Sequence, residues 1–96
     1  MEGLRYRDKL SGEEKTLKVE GVFVEVGSTP NSGLIKDLVE LDEWGQVVVD
    51  HETQRTSAQG IWAAGDVTDA LYKQNNISAG DAVRAALNIY DYLKST

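Results

Sequence analysis

The sequence Gly60-Ile61-Trp62-Ala63-Ala64-Gly65-Asp66 ends an apolar run on a carboxylate, and Lys73-Gln74 follow shortly before a long amphipathic stretch. With the run as a strand and the stretch as a helix, Asp66 and the backbone amides of the helix start meet at the carboxyl edge of a sheet. That edge is where α/β proteins place ligands. There Asp66 can accept hydrogen bonds from ligand hydroxyls, a charge-assisted contact of about 1.5 to 3 kcal/mol. The same carboxylate can equally cap a turn or a backbone amide, and spacing alone does not choose between the two. The helix start, with Gln74, Asn75 and Asn76 around it, offers unpaired N–H groups and a positive dipole end, which favours negative charge by roughly 0.3 to 1 kcal/mol. Every helix shares that property. Lys73 can pair with an anionic ligand or stand in solvent.

The remaining residues narrow the chemistry. Cysteine is absent, so the chain holds no disulfide, thiolate metal site or redox dithiol. The one histidine, His51, has no partner at metal-ligand spacing and is expected to be structural or solvent-exposed. Asp42, Glu43, Asp50 and Glu52 could be named as acid/base pairs, but they fall in turn-like stretches and read as a solvated face. No Ser-His-Asp order, phosphate-binding Walker loop or G-x-G-x-x-G turn occurs. Neither a catalytic residue nor a metal ligand is therefore assigned. Sixteen acidic residues against ten basic ones give a net charge of -6, and the basic residues are scattered, which argues against nucleic acid. The longest apolar runs are far shorter than the roughly 18 to 20 residues a bilayer span needs, and no signal-like segment opens the sequence, so no membrane partner and a cytoplasmic location are expected.

The elements that must position Asp66 can be read from periodicity. With 96 residues, 41% of them hydrophobic, the chain is one small folded domain or a piece of a larger one. Leu4 and Tyr6 alternate with Arg5 and Arg7, Ser11-Gly12-Glu13 supplies a turn, and Leu17 and Val19 alternate with Lys18 and Glu20, which predicts a hairpin with one apolar face. Residues 22–26, Val-Phe-Val-Glu-Val, suit a more buried strand. The cluster Gly27-Ser28-Thr29-Pro30-Asn31-Ser32-Gly33 breaks regular structure and marks an interdomain crossing or hinge.

Residues 34–41 are expected to form a short helix, residues 46–50 a strand, residues 51–59 a loop and residues 61–65 the central strand. From about Ser78 a helix is expected, with Ala79, Ala82, Val83, Ala86, Ile89, Tyr90 and Leu93 on its apolar face. Ser78 and Asp81 have capping-box spacing, with Asn75 or Asn76 as earlier alternatives. Gly80, unfavourable there by about 1 kcal/mol relative to alanine, suggests a close neighbour at the first turn.

Taken together, these segments resemble the C-terminal part of the pyridine-nucleotide, flavin-dependent disulfide reductases of the thioredoxin reductase type, with the flavoprotein components of alkyl hydroperoxide reductase the nearest branch. The resemblance rests on Gly3-Leu4-Arg5-Tyr6-Arg7-Asp8 with Ser11-Gly12, Gly21-Val22-Phe23-Val24-Glu25-Val26-Gly27 leading to Pro30-Asn31, the Gly60 to Asp66 run, Tyr72-Lys73-Gln74, and Ala85-Ala86-Leu87 through Tyr92-Leu93. It implies an α/β fold formed from part of a two-dinucleotide-binding-domain flavoprotein. Residues 1–27 would be the terminal hairpin and strand of the NAD(P)-binding domain, and residues 28–96 the C-terminal strands and helix of the FAD-binding domain. It further implies that Gly65, Asp66 and Val67 meet the ribityl and pyrophosphate part of FAD. Lys73, Gln74 and the amide of Asn75 would approach the flavin ring.

The same family requires two glycine-rich turns and a Cys-x-x-Cys pair, all absent here, and tends to have a Gly- or Thr-rich segment where this chain has Asn75-Asn76. The expected function is accordingly the C-terminal portion of an FAD-dependent NAD(P)H:disulfide oxidoreductase, inactive alone. In the complete system NAD(P)H and a thioredoxin-like or peroxiredoxin protein would be partners, with homodimerisation or association with an N-terminal half. The alternative is a non-catalytic module that associates with a separate N-terminal half or with itself.

Overall fold

The computed structural model describes residues 1–96. The alternation at the start folds as expected. Strand β1 (Leu4–Arg7) pairs antiparallel with β2 (Glu14–Leu17), Leu4 opposite Leu17 and Arg7 opposite Glu14. The connection is organised by Asp8, whose carboxylate accepts the amides of Leu10 at 2.8 Å and Ser11 at 3.1 Å. Those two amides hold the Asp8 carboxyl below its ordinary value, with the neighbouring Lys15 adding to the effect. Every residue of both strands is exposed, so the apolar face formed by Leu4, Tyr6 and Leu17 is uncovered.

Residues 22–26 depart from the buried strand expected of them: they form no strand and are exposed, with Phe23 at 97% and Val26 at 90%. Strand propensity expresses fit to a pleated, half-buried surface. No second strand lies beside this segment to receive its N–H and C=O groups, and without one the valines and phenylalanine stay in solvent.

Residues 34–41 form turns, not a helix. Ile35 and Leu38 donate to Ser32 and Ile35 carbonyls, Val39 donates to Ile35, and the bonding stops there. A segment this short does not repay helix nucleation by itself, and only Val39 of its apolar residues is buried. The expected strand at 46–50 is reduced to Val47, which bridges Leu41 antiparallel and Thr68 parallel. Val47 donates to the Val67 carbonyl at 2.8 Å and accepts from Asp69 at 3.0 Å. Val39, Val47 and Val49 form the core, with Ile35, Leu41, Ala58, Ile61, Ala63 and Val67 packed around them.

The 42–46 turn that presents Val47 is held by the Asp42 carboxylate, which accepts the amides of Trp44 at 3.0 Å and Gln46 at 2.8 Å and the Gln46 side-chain N–H at 2.8 Å. Partial burial works against the Asp42 charge, but these donors and the nearby Lys73 ammonium outweigh it and hold the carboxyl below its usual 3.8. A depressed folded-state pKa contributes stability that is fully present above the unfolded value and lost as pH falls through the folded one. The Trp44 and Gln46 amide resonances are therefore expected to hold still from neutral pH to about 5 and to move below 3.8. Asp42→Asn should abolish that step. Amide shifts that move only near neutral pH would contradict it.

Residues 61–65 do not form the expected central strand. One isolated bridge joins Trp62 to Arg55, the run is only half-buried, and it ends in a single 3-10 turn, Gly65–Val67. The backbone alongside belongs to residues 54–58: Thr56 donates to Ile61, Ile61 to Ala58 and Ala63 to Gln54. Gln54 is fully buried with a positive φ of 62° and leaves both side-chain amide atoms without a partner.

Helix α1 spans Asn75–Lys94, starting three residues before the expected Ser78, with Gln74 in the N-cap position and no side-chain cap. The Ser78–Asp81 capping box does not form, because both residues lie inside the helix. Asp81 instead meets Arg84 at 3.3 Å, and its other carboxylate oxygen is buried without a partner. The face of α1 turned to the rest of the chain carries Ser78, Asp81, Ala85, Asn88 and Tyr92, together with half-buried Ile89. Ala79, Ala82, Val83, Ala86, Tyr90 and Leu93, expected on the packed face, are exposed. The apolar stripe exists as its periodicity requires, but no part of the chain covers it.

A Cβ at Gly80 would meet nothing within 4 Å, so the suggested close neighbour is not there. Helix α1 packs against the 3-10 turn, neither β strand packs against α1, and the molecule extends 63 × 25 × 21 Å. No helix is long and apolar enough to cross a membrane.

Candidate functional site

The site is organised by the 3-10 turn. Ala64 is extended, and Gly65 then takes φ +82°, a left-handed value that glycine adopts without steric cost. Thr68 closes the turn by donating both its N–H, at 3.0 Å, and its Oγ1, at 2.8 Å, to the Gly65 carbonyl. Thr68 itself is fully buried and bridged to Val47, so the turn is anchored to the core on one side. On the other it presents Asp66 to solvent.

Helix α1 meets this turn closely. A Cβ on Gly65 would lie 3.2 Å from Cβ and Oγ of Ser78, so a glycine is what lets the helix start approach. The close packing expected of the first helical turn is thus supplied by Gly65 against Ser78, not by Gly80. Ser78 Oγ donates to Asp66 Oδ1 at 3.2 Å. That bond orients the carboxylate and leaves Oδ2 free to accept.

An open cleft of about 620 Å³ lies here, lined by Glu25, Asp66, Lys73, Gln74, Asn75, Asn76 and Ile77. Of the residues singled out from the sequence, Asp66, Lys73, Gln74 and Asn75 come together on it. Gly65 lies buried behind Asp66. Val67 packs against the core and gives its carbonyl to Val47, so its side chain lines no part of the cleft.

The ammonium of Lys73 donates to the Thr68 carbonyl, closing the 68–73 loop. Gln74 accepts the Ser78 amide at 3.0 Å through its carbonyl, the first bond of the helix. The amides of Asn75, Asn76 and Ile77 precede that bond and are free for a ligand. The arrangement can therefore accept hydroxyl donors at Asp66 and donate at the helix start. Glu25 adds a second carboxylate to the wall.

Two participants were not legible in the sequence. Glu25 reads as one polar position of an apolar segment, and nothing local brings it to the cleft. Ser78 reads as a cap, although its true partner lies twelve positions upstream. His51 is exposed, with its Nε2 3.1 Å from Asp69 Oδ1.

The sequence pattern of the pyridine nucleotide-disulphide oxidoreductases matches residues 2–86. The F subunit of alkyl hydroperoxide reductase in Staphylococcus aureus strain Mu50 is 48% identical over 91 residues, covering 95% of this chain and 18% of the relative. The corresponding Pseudomonas putida protein is 43% identical over 94 residues, covering 98% and 18% respectively. Among solved structures, thioredoxin reductase of T. acidophilum superposes with a TM-score of 0.78 at 46% identity, over 93% of this chain and 29% of that one. Thioredoxin reductase of Lactococcus lactis gives a TM-score of 0.81 at 29% identity, over 99% and 31%. The fold is thus the α/β arrangement of part of these reductases, and the chain spans less than a third of the proteins it matches.

Proposed function

The chain belongs to the pyridine nucleotide-disulphide oxidoreductase family, and from that premise we propose that it supplies one wall of the FAD site in an NAD(P)H-dependent disulfide reductase of the thioredoxin reductase or alkyl hydroperoxide reductase type. The observation that carries the reading is the free Asp66 Oδ2 beside the uncapped start of α1. Residues 1–27 would close the NAD(P)-binding domain and residues 28–96 would complete the FAD-binding domain.

The donor set fits one portion of FAD. The carboxylate of Asp66 suits the hydroxyls of the ribityl chain, and the backbone N–H groups at Asn75 and Asn76 suit the electron-rich pyrimidine edge of the flavin. Lys73, tied to the Thr68 carbonyl, acts by holding the loop that delivers Gln74 and Asn75. Gly65 contributes by letting Ser78 close on Asp66, and Val67 by anchoring the turn to Val47. Held by Asp66 and the Asn75 and Asn76 amides, a flavin would supply the two-electron chemistry that links NAD(P)H oxidation to disulfide reduction. This chain's residues bind and orient it, and no cysteine here can accept those electrons.

A cytoplasmic reductase acting on a thioredoxin-like or peroxiredoxin protein, assembled as a homodimer or with an N-terminal half, is the corresponding setting. The uncovered stripe on α1, with Leu93 at 63% exposure, also favours a second reading as a non-catalytic association module.

One assay separates the two. The 96-residue chain with added FAD should not oxidise NAD(P)H by itself. It should support flavin reduction once combined with the N-terminal region of a relative such as the S. aureus reductase. Turnover by the chain alone would overturn the inactivity, and association without flavin reduction would favour the second reading.

A further inference from the structure

A second cavity, of about 300 Å³ and sharing no residue with the Asp66 cleft, lies between the 55–62 loop and the last turns of α1. Arg55 dominates it. The guanidinium carbon lies 5.7 Å from the Trp62 ring centroid and 5.6 Å from that of Tyr92, and the two rings meet edge-to-face at 5.3 Å. Arg55 Nε donates to Asn88 Oδ1 at 2.8 Å, and Trp62 Nε1 donates to the same oxygen at 3.0 Å. The cation is thus fixed by two rings and one hydrogen bond.

It has no counter-ion. The ion pairs of the molecule involve Arg7, Lys15 and Arg84, and no carboxylate pairs with Arg55; no acidic residue lines the cavity. The carbonyls of Tyr92 and Leu93 at the helix end accept the Ser95 and Thr96 hydroxyls at 2.8 and 2.9 Å and receive no hydrogen bond from Arg55. The Nη edge of Arg55 is left free, and no protein acceptor takes the amides of Ser57, Gln59 or Gly60. Ala58, Ile61 and Trp62 supply an apolar wall.

We propose that this cavity is a binding site for a small monocarboxylate with an apolar body, its carboxylate on the Nη edge of Arg55 and its body against Ala58, Ile61 and Trp62. A planar guanidinium fork matches a carboxylate in two parallel hydrogen bonds, and an arginine immobilised beforehand loses little further freedom on binding. The single positive charge matches a monoanion. A phosphate dianion would find no second cation among the lining residues. The volume is at the lower end for small-ligand sites. The site does not depend on the flavin reading.

The test titrates the 96-residue chain carrying Trp44→Phe, an exposed position outside the cavity, so that Trp62 is the only indole. Phenylacetate should change Trp62 fluorescence saturably. Phenylacetamide, of the same shape without the charge, should bind at least about tenfold more weakly, as should phenylacetate to Arg55→Gln with its helix content retained. A Phe-terminated tetrapeptide that binds more tightly than phenylacetate, and loses that on amidation, would identify the ligand as a peptide C-terminus. Tighter phenylacetate would identify a free acid. No saturable response to either acid, equal affinity for phenylacetamide, or undiminished binding to folded Arg55→Gln would overturn the proposal. The phenylacetamide arm remains decisive even if Arg55→Gln fails to fold.

Discussion

Gly65→Ala is expected to destabilise the folded chain by about 2 to 4 kcal/mol, from a left-handed backbone penalty of roughly 1 to 2 and an overpacking cost of similar size. Both costs arise at one atom. Gly65 has φ +82°, and the new methyl would sit 3.2 Å from Cβ and Oγ of Ser78, where neither the 3-10 turn nor the helix start is free to retreat. The turn is tied through Thr68 to the buried Val47, so withdrawal of Gly65 disturbs the core as well.

Chemical denaturation followed by far-UV circular dichroism measures the loss. Ser78→Gly in the same chain should recover the overpacking share and leave the backbone share. Beyond the roughly 1 kcal/mol that glycine costs in a helix, the two substitutions should therefore be non-additive. Gly65→Ala with parental stability would show that the turn and the helix do not meet as described.

The second large effect concerns the ligand. Combined with the N-terminal region of a relative, the chain carrying Asp66→Ala is expected to lose flavin affinity by about 10- to 150-fold, the equivalent of 1.5 to 3 kcal/mol for a hydrogen bond to a charged group. Asp66→Asn, which keeps an acceptor oxygen without the charge, should fall between Ala and the parent. The fold should survive both, since Asp66 is exposed and its one side-chain hydrogen bond is to Ser78. Flavin fluorescence on dilution measures retention. Retention equal to that of the parent would remove Asp66 from the site.

What the sequence makes legible divides by the range of the interactions involved. The hairpin was legible because Leu4, Tyr6 and Leu17 alternate with polar residues and Gly12 permits the turn, all local properties. Helix α1 was legible from its period, yet the face it buries was not. Ser78, Asn88 and Tyr92 are turned inward by hydrogen bonds and an edge-to-face ring contact, and Asp81 is buried on the same face, whereas Val83 and Leu93 remain in solvent.

The segments at 22–26, 46–50 and 61–65 have strand-forming residues, but a strand is a property of a pair. Only Val47 and Trp62 found isolated bridges. At the site, Asp66, Lys73, Gln74 and Asn75 were gathered by closeness in sequence. Glu25 and the inward role of Ser78 depend on contacts that no local pattern encodes.

The exposed segment at 22–26 also bears on how the protein behaves in concentrated solution. Val-Phe-Val-Glu-Val combines high strand propensity with a single charge and no proline, the composition of segments that stack into intermolecular sheets. Its backbone edge is unpaired, and Glu25 is the lone gatekeeper that charge repulsion provides. Glu25 also lines the cleft beside Asp66, so the one charge that guards this segment stands at the wall of the cleft. Resistance of this segment to concentration-dependent association therefore rests on one side chain.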